Sequence, residues 1–301
     1  MGILAIVAAL VLEQWRPLGD RTAVAGALAG WADWLERTFN AGESRHGMIA
    51  WLIAVLSPVA VALALYALLA WFTPIAALLL NIAALYLTLG FRQFSHFFSG
   101  IQSAMRDSDV DRARELIGAW RGESATHRSR EEVIRLAIEE GIAASHRNVF
   151  AVLLWFVLLP GPSGAILYRM AVYLDRRWAG KGEFGRFARK VLLALEWPAV
   201  RLTAAAFAVV GDFEDAIYCW RTQAAAWPEP NLGIVLAAGA GALGVKLGMQ
   251  LTEVEGLQPR PDLGLGETAD APFLDSTVGL LWRALVLWVF VLVVLSLTRI
   301  F

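Results

Sequence analysis

The chain is poor in cysteine and in charge. Cys219 is the single cysteine among 301 residues, and Asp, Glu, Lys and Arg together make up 18% of the chain. One cysteine excludes a disulfide framework within the chain and a cysteine-rich metal cluster. A soluble domain carries about 25% charged residues. The net charge of −1 and the lack of a basic tail give no support to a nucleic-acid partner.

Three common catalytic motifs are also missing. The sequence contains no G-x-x-x-x-G-K-[ST], no H-E-x-x-H and no G-x-S-x-G. It therefore offers no support for a P-loop phosphate site, a zinc metalloprotease or an α/β-hydrolase nucleophile.

The longest gap in the charges lies between His46 and Arg92. Residues 47–91 contain no Asp, Glu, Lys or Arg. As a helix, these 45 residues would extend to about 67 Å, at about 1.5 Å per residue. A bilayer core is about 30 Å thick and is crossed by about 20 apolar residues. The gap predicts two membrane passes with a turn at Phe72-Thr73-Pro74, and hence an all-α, polytopic integral membrane helical bundle whose main partner is the lipid bilayer.

Two further features near the start predict membrane contact. Residues 1–12 are apolar, have no Lys or Arg before them, and end in Glu13-Gln14-Trp15-Arg16 rather than in a small-residue cleavage site. They therefore predict an anchor or a tilted helix rather than a signal peptide. Residues 32–39 predict a short interfacial helix with Trp31, Trp34, Leu35 and Thr38 on one face.

The longest polar stretch is 92–147, which predicts surface amphipathic helices. Ser108 is a plausible N-cap for a first helix, with carboxylates in its first turn. A second helix is expected to begin near Ser129. Both helices would pack on the membrane surface or on the bundle.

Residues 148–168 are uncharged but contain Pro160-Gly161-Pro162-Ser163-Gly164 at their centre, which no straight helix accommodates. The alternatives are a re-entrant hairpin of two half-helices or one span that ends near Leu159. Residues 173–190 carry six Lys or Arg against two acids, and 92–147 is also rich in Arg. The positive-inside tendency would place both on the cytoplasmic side, which favours the re-entrant hairpin.

The remaining chain predicts further apolar helices. Residues 191–211 are apolar except for Glu196 and Arg201, and residues 230–249 are rich in the small residues that allow close helix packing. Residues 252–278 are polar, with turns at Gln258-Pro259 and Arg260-Pro261, and the last span is expected at 279–298. Without an internal repeat or a linker, one domain over 1–301 with a polar helical insertion at 92–147 is the simplest prediction.

Several charged residues are candidates for chemistry because charges near membrane spans are costly. Glu196 and Arg201 either neutralise each other or leave Arg201 to hold a phosphate or carboxylate. Asp175 is either a base or metal ligand, or a loop carboxylate paired with Arg176. Glu139 and Glu140 precede His146, and a Glu and a His seven residues apart share one face of a helix, so this segment is either a weak metal signal or a solvated helix face.

Several segments together resemble the CobD/CbiB family of cobalamin biosynthesis. They are Leu116 to Arg121, the Glu139-Glu140 helix, Gly164 to Tyr168, Leu174-Asp175, Trp197, Arg201-Leu202-Thr203, and above all Pro230-Asn231-Leu-Gly233 with Ala240-Gly-Ala-Leu-Gly-Val-Lys246-Leu-Gly248. Gly264-Leu-Gly266-Glu267 is similar to a glycine-rich turn of that family. The resemblance covers about residues 100–300.

The resemblance implies an adenosylcobinamide-phosphate synthase. Such an enzyme is an ATP-dependent ligase that joins adenosylcobyric acid to aminopropanol or its phosphate through an amide. It implies ATP and Mg²⁺, a corrinoid substrate and a bacterial inner-membrane location. Asp175, Glu140 and Glu196 are assigned to catalysis, and Arg201, Asn231 and Lys246 to substrate binding. No metal ligand and no oligomeric state is assigned.

Some family elements are altered in this chain. An early His-Pro-Val element is replaced by Arg16-Pro17-Leu18-Gly19. An acidic signature falls on Ala144 to Phe150 without its acidic residues, and an Asn-Thr-Leu-Asp-Ser-Met element retains only Asp175. These departures favour the alternative, a non-catalytic sensory or regulatory membrane protein similar to AmpE.

Overall fold

The computed structural model describes residues 2–15, 22–40, 42–251 and 260–298. Its helices, in chain order, are α1 (Gly2–Trp15), α2 (Thr22–Phe39), α3 (Ser44–Phe72), α4 (Pro74–Thr88), α5 (Phe91–Arg106), α6 (Val110–Arg121), α7 (Arg130–Ser145), α8 (Ala151–Leu158), α9 (Ser163–Arg177), α10 (Glu183–Val210), α11 (Phe213–Thr222), α12 (Pro230–Leu243) and α13 (Ala271–Thr298). A π-helical turn (His146–Phe150) joins α7 to α8, and a 3₁₀ turn (Ala224–Ala226) follows α11. Two antiparallel strands, β1 (Leu247–Gly248) and β2 (Asp262–Leu263), form a small hairpin. The predicted all-α class is confirmed.

The described residues divide into two compact units. Unit 1 contains residues 1–90 and 151–197, and unit 2 contains residues 91–150 and 198–301. In unit 1, α3 contacts α2, α4 and α9, α1 contacts α4, and α8 contacts α9. In unit 2, α7 lies against α5, α6, α12 and α13, and α11 packs along α12. The one-domain expectation stays a prediction.

The predicted turn at Phe72-Thr73-Pro74 is confirmed. Thr73 separates α3 from α4, and Pro74 occupies the first turn of α4, where its missing N–H costs nothing. The two helices differ in length, at 29 and 15 residues. Only α3 reaches the roughly 20 residues that a straight span needs, because the chain leaves the helix at Leu89.

Within the described ranges, four helices are long and apolar enough to cross a membrane: Ser44–Phe72, Arg130–Leu158, Glu183–Val210 and Ala271–Leu297. Shorter apolar helices are Gly2–Trp15, Pro74–Thr88 and Pro230–Leu243. The long helix in unit 1, α3, is largely unburied by protein, with Val61 and Leu68 exposed by 68% and 55%. In length and composition, these helices fit a membrane protein.

The break at Pro160 to Gly164 is confirmed, but the preferred re-entrant hairpin is not. The helix that begins at Arg130 continues through the π turn and ends at Leu158, as the alternative of a single span near Leu159 predicted. A new helix, α9, begins at Ser163 and packs tightly on α8. A Cβ on Gly164 would lie 1.8 Å from the Trp155 carbonyl oxygen, so only glycine allows this approach.

Two helix starts test the capping predictions. Ser129 caps α7 as predicted: its Oγ accepts a hydrogen bond from Glu132 N (3.1 Å), and the Glu132 carboxylate accepts one from Ser129 N (2.7 Å). Ser108 was the wrong cap for α6. Asp109 caps it by accepting from Arg112 N (2.9 Å), while Ser108 has φ +59° and lets Asp109 N reach Ala104 O at the end of α5.

Other boundaries differ from the predicted ones. Helix α2 begins at Thr22, before the predicted 32, and α13 begins at Ala271, before the predicted 279. Trp31 and Trp34 stack with centroids 5.3 Å apart, which confirms that they share a face of α2. The elements around Arg16 to Gly19 and the turn at Gln258-Pro259 lie outside the described residues.

Candidate functional site

A buried stripe of polar side chains runs along α7 in unit 2. Glu132, Arg135 and Glu139 are exposed by 5%, 3% and 4%, and His146, in the π turn, by 1%. Spacings of three, four and seven residues place them on one face of the helix. Buried charges are costly unless they are paired and hydrogen-bonded, so this face needs polar partners.

The partner of Glu139 is Arg260. Arg260 Nη2 donates to Glu139 Oε1 (2.8 Å) and Oε2 (2.6 Å), and Gly248 N donates to Oε1 (2.9 Å). Arg260 Nε also donates to Met249 O (3.2 Å), and the guanidinium carbon lies 5.3 Å from the centroid of the Trp227 ring. The carboxylate therefore ties α7 to both sides of the β1–β2 hairpin, and both of its oxygens are occupied.

The backbone of the hairpin depends on Gly248. It has φ +75°, and a Cβ there would lie 2.0 Å from the carbonyl oxygen of Pro261, the residue just before β2. Met249 follows with φ +59°, which is uncommon for a residue with a side chain. Arg135, on α7, donates to Met249 Sδ at 3.3 Å. The bend after β1 is thus held from α7 by both Arg135 and Glu139.

The hairpin presents Lys246 at its surface. Lys246 N donates to Glu267 O (2.8 Å), which fixes its backbone, and its neighbours Val245 and Leu247 are fully buried. The Lys246 side chain is exposed. It makes no ion pair with any acid in the part of the chain that the structure describes, so its ammonium group is available to an anionic ligand.

His146 is held in a defined tautomer. The Thr203 hydroxyl donates to Ala199 O (2.9 Å), so it accepts from His146 Nδ1 at 3.0 Å, and Nδ1 carries the proton. His146 Nε2 is buried and has no hydrogen-bond partner within the described ranges. The next residue, Arg147, pairs with Glu229 (3.0 Å) just before α12. Two positions of the altered acidic signature, His146 and Arg147, therefore connect segments of unit 2 through polar contacts.

The predicted catalytic residues lie in both units. In unit 1, Asp175 is largely buried and pairs with Arg189 (3.2 Å), not with the predicted Arg176, and Glu196 is buried in α10. In unit 2, Glu140 pairs with Arg121 (2.7 Å), and both side chains are partly exposed.

The predicted substrate-binding residues all belong to unit 2. Arg201 is half-buried on α10, Asn231 is buried in the first turn of α12, and Lys246 precedes β1. The expected convergence of Asp175, Glu140, Glu196 and Arg201 on one cavity stays a prediction.

Sequence reasoning missed Glu139, Arg260 and Trp227 as members of the site. On the sequence alone, Glu140 rather than its neighbour Glu139 is assigned to the site, although the helical spacing of Glu132, Arg135 and Glu139 is a usable signal. From the sequence, Arg260 is predicted only as part of the turn at Arg260-Pro261. No local pattern links it to a glutamate 121 positions away.

Comparison with known proteins identifies the family of the chain. The chain matches the model of the CobD/Cbib protein family over residues 3–295. It is 34% identical over 297 residues to the cobalamin biosynthesis protein CobD of Stutzerimonas stutzeri, covering 96% of each chain. It is 35% identical over 237 residues to the protein of the same name from Chromobacterium violaceum, covering 76% of each.

A more distant relative is the cobalamin biosynthesis protein CobD of Mycobacterium tuberculosis, 29% identical over 187 residues and 59% of each chain. No solved structure matches the chain significantly. The AmpE-like alternative finds no support in these matches. With a family match over nearly its whole length, the chain belongs to the CobD/CbiB family.

Proposed function

We propose that this protein is an adenosylcobinamide-phosphate synthase of the bacterial inner membrane, acting in cobalamin biosynthesis. Its substrates would be adenosylcobyric acid, a corrinoid, and aminopropanol or its phosphate. The observation that carries the proposal is the family match over residues 3–295, joined by relatives named for cobalamin biosynthesis. Four span-length apolar helices support the membrane location.

The reaction requires activation of a carboxylate. A carboxylate resists attack by an amine because its oxygen is a poor leaving group, so a phosphoryl group of ATP is transferred to that oxygen first. The amine then attacks the carbonyl carbon, the phosphate leaves with the oxygen, and the amine nitrogen loses a proton. ATP and Mg²⁺ enter the proposal through the family resemblance alone.

No residue is assigned to Mg²⁺. Among the described residues, no group of three or more His, Cys, Asp or Glu side chains is placed to hold a metal ion. Both oxygens of the best-placed buried carboxylate, Glu139, already accept hydrogen bonds. The described residues therefore do not form a site that fits Mg²⁺.

Lys246 is our candidate for binding the anionic substrate group. Its exposed ammonium stands on a hairpin whose backbone is fixed by Glu139, Arg260 and Gly248. A fixed cation attracts a carboxylate or phosphate without the cost of ordering a flexible loop. Arg201 and Asn231 are the further binding candidates, and Glu139 positions the hairpin rather than exchanging protons.

Asp175, Glu140 and Glu196 are our candidates for accepting the proton from the amine. Asp175 and Glu140 are each bound to an arginine, through Arg189 and Arg121. Of the three, Glu196 is the most buried.

The test is a direct assay with purified full-length protein in detergent, given adenosylcobyric acid, aminopropanol phosphate and ATP with Mg²⁺. Mass spectrometry should detect the amide product. Lys246→Gln should raise KM for the anionic substrate, whereas Arg221→Gln, which removes an exposed cation from α11, should leave it unchanged. No product from this chain, while the Stutzerimonas stutzeri protein gives product in the same assay, would overturn the proposal.

A further inference from the structure

A cluster of basic side chains lies at one end of unit 1, where four helices meet. The last turns of α2 and α9 and the first turns of α3 and α10 come together there. Gly47 of α3 is packed so closely that a Cβ would lie 2.1 Å from the Phe184 carbonyl oxygen of α10. Arg177 of α9 binds Asp33 of α2 through contacts of 2.6, 2.7 and 2.9 Å.

This basic end has an excess of positive charge. Its cations are Arg37, Arg45, Arg176, Arg177, Lys181, Arg186, Arg189 and Lys190, and its acids are Asp33, Glu36, Glu43, Asp175 and Glu183. Eight cations against five acids leave a net charge of +3. Four of the acids are already neutralised by ion pairs with Arg177, Lys181, Arg189 and Arg186.

Three of the cations are left for another partner. Arg37, Arg45 and Lys190 are exposed, and none of them makes an ion pair with a described side chain. Arg37 borders a cleft of about 310 Å³ that is also lined by Asp33, Glu36, Arg177 and Lys181. Because Arg177 and Lys181 neutralise the two acids of this cleft, a monoanion beside Arg37 meets a favourable potential.

The surroundings of the cleft are those of a membrane interface. Trp34 lies one turn before Arg37 on α2, is 52% exposed, and stacks on Trp31. Tryptophan is enriched where hydrocarbon meets headgroups. Two span-length helices, α3 and α10, both begin at this end, so their first turns lie at headgroup depth when they are inserted.

We propose that the basic end of unit 1 binds the phosphate of acidic phospholipid headgroups, with Arg37, Arg45 and Lys190 as the binding cations and Trp34 at the acyl boundary. The partner is a phosphodiester monoanion such as that of phosphatidylglycerol. A cation near an anionic leaflet contributes about 1 kcal/mol, so loss of three cations should weaken binding by about a hundredfold at low salt. The inference is independent of the proposed enzymatic activity.

The test uses delipidated full-length protein in a mild detergent, titrated with phosphatidylglycerol or phosphatidylcholine of the same acyl chains. Bound lipid is counted by native mass spectrometry, and stabilisation is followed by thermal unfolding. Phosphatidylglycerol should bind and raise the Tm, phosphatidylcholine should not, and 0.5 M salt should reduce the difference. Equal effects of the two lipids would overturn the proposal.

Matched variants assign the binding to the basic end. R37Q/R45Q/K190Q should lose the preference for phosphatidylglycerol, whereas R112Q/R130Q/R221Q, which removes three exposed cations from unit 2, should keep it. If the triple variant does not fold, R37Q alone should show a weaker preference. Retention by the basic-end variants, or displacement of the lipid by millimolar inorganic phosphate, would show that these residues do not form a lipid site.

Discussion

Arg260 Nη2 donates to both carboxylate oxygens of Glu139, at 2.8 and 2.6 Å, across 121 positions of sequence. The two side chains are exposed by only 13% and 5%. A pair this buried is costly to form but more costly to break, because removing one partner leaves the other charge without compensation. The pair therefore helps to hold the β1–β2 hairpin, which directly follows Lys246, against α7.

Glu139→Gln should lower the thermal stability of the protein strongly. It leaves Arg260 buried without a counter-charge, at a cost of about 3–5 kcal/mol. Thermal unfolding of the purified protein in detergent measures the effect. Glu140→Gln is the control, because the neighbouring pair with Arg121 is partly exposed and should be worth about 1 kcal/mol or less. Equal losses in the two variants would contradict the role given to Glu139.

Gly248→Ala should lower the thermal stability by more than the strain of a left-handed backbone alone would. The new Cβ would lie 2.0 Å from Pro261 O, so the two strands would have to separate. Gly122→Ala is the matched control, because Gly122 has nearly the same φ (+72° against +75°) but no atom within 4 Å of its Cβ position. The control should cost about 1–2 kcal/mol, the strain of a left-handed alanine. Thermal shifts of similar size would show that the contact with Pro261 is unimportant.

Thr203→Val should destabilise unit 2 by about 1–3 kcal/mol, because it leaves buried His146 Nδ1–H without its acceptor. The substitution nearly preserves volume, so the loss reports the hydrogen bond. Thr222→Val is its counterpart on an exposed helix face, where Oγ1 donates to the Tyr218 carbonyl four residues earlier. Its effect should stay within about 0.5 kcal/mol. A chemical-denaturation midpoint unchanged by Thr203→Val would argue against this hydrogen bond.

Cys219 should react slowly with thiol reagents at neutral pH. Burial, followed by the nearby Asp215 carboxylate, raises the pKa of its thiol from 9.0 to about 11, and the thiolate is the reactive form. As the chain has one cysteine, labelling with a maleimide is unambiguous, and its rate should keep rising past pH 9. The labelling rate of denatured protein should instead be half-maximal near pH 9 and level off above it.

The same shift predicts a dependence of stability on pH. A thiol whose pKa is higher in the folded state stabilises the fold fully below pH 9, and this contribution is lost as the pH rises from 9 to about 11. The Tm of the wild-type protein should therefore fall over this range more than that of Cys219→Ala. Parallel curves for the two proteins would show that the thiol is not the titrating group.

Local sequence signals predicted some elements accurately. Ser129 followed by Glu132 is a capping box, whose two hydrogen bonds join residues three positions apart, so the start of α7 could be predicted from four residues. Ser108 and Asp109 are both good caps, and local preference could not choose between them. The end of α5 determines that Asp109 is the N-cap. Ser108 adopts φ +59° there, so that Asp109 N can donate to Ala104 O.

The uncharged run at 148–168 shows a second limit. Its Pro-Gly-Pro centre predicted a break in the helix, and the break is there. The run does not begin a helix of its own, because α7 continues into it through the π turn. A π turn adds one residue to a helix and leaves no distinctive residue pattern, so the continuation was invisible in the sequence.

By itself, the sequence determined the environment and the class of this protein. Long uncharged segments such as 47–91 favour an apolar medium, where water cannot bond the backbone N–H and C=O groups. A helix pairs these groups with one another, so such segments are expected to be helical. The tertiary structure decided which charged side chains form ion pairs within the protein and which remain exposed to a ligand. Glu139 rather than Glu140 is the buried partner of Arg260, Asp175 is paired with Arg189, and Lys246 is exposed. An ion pair depends on the distance between two side chains that can be far apart in the sequence. No local sequence pattern contains that distance.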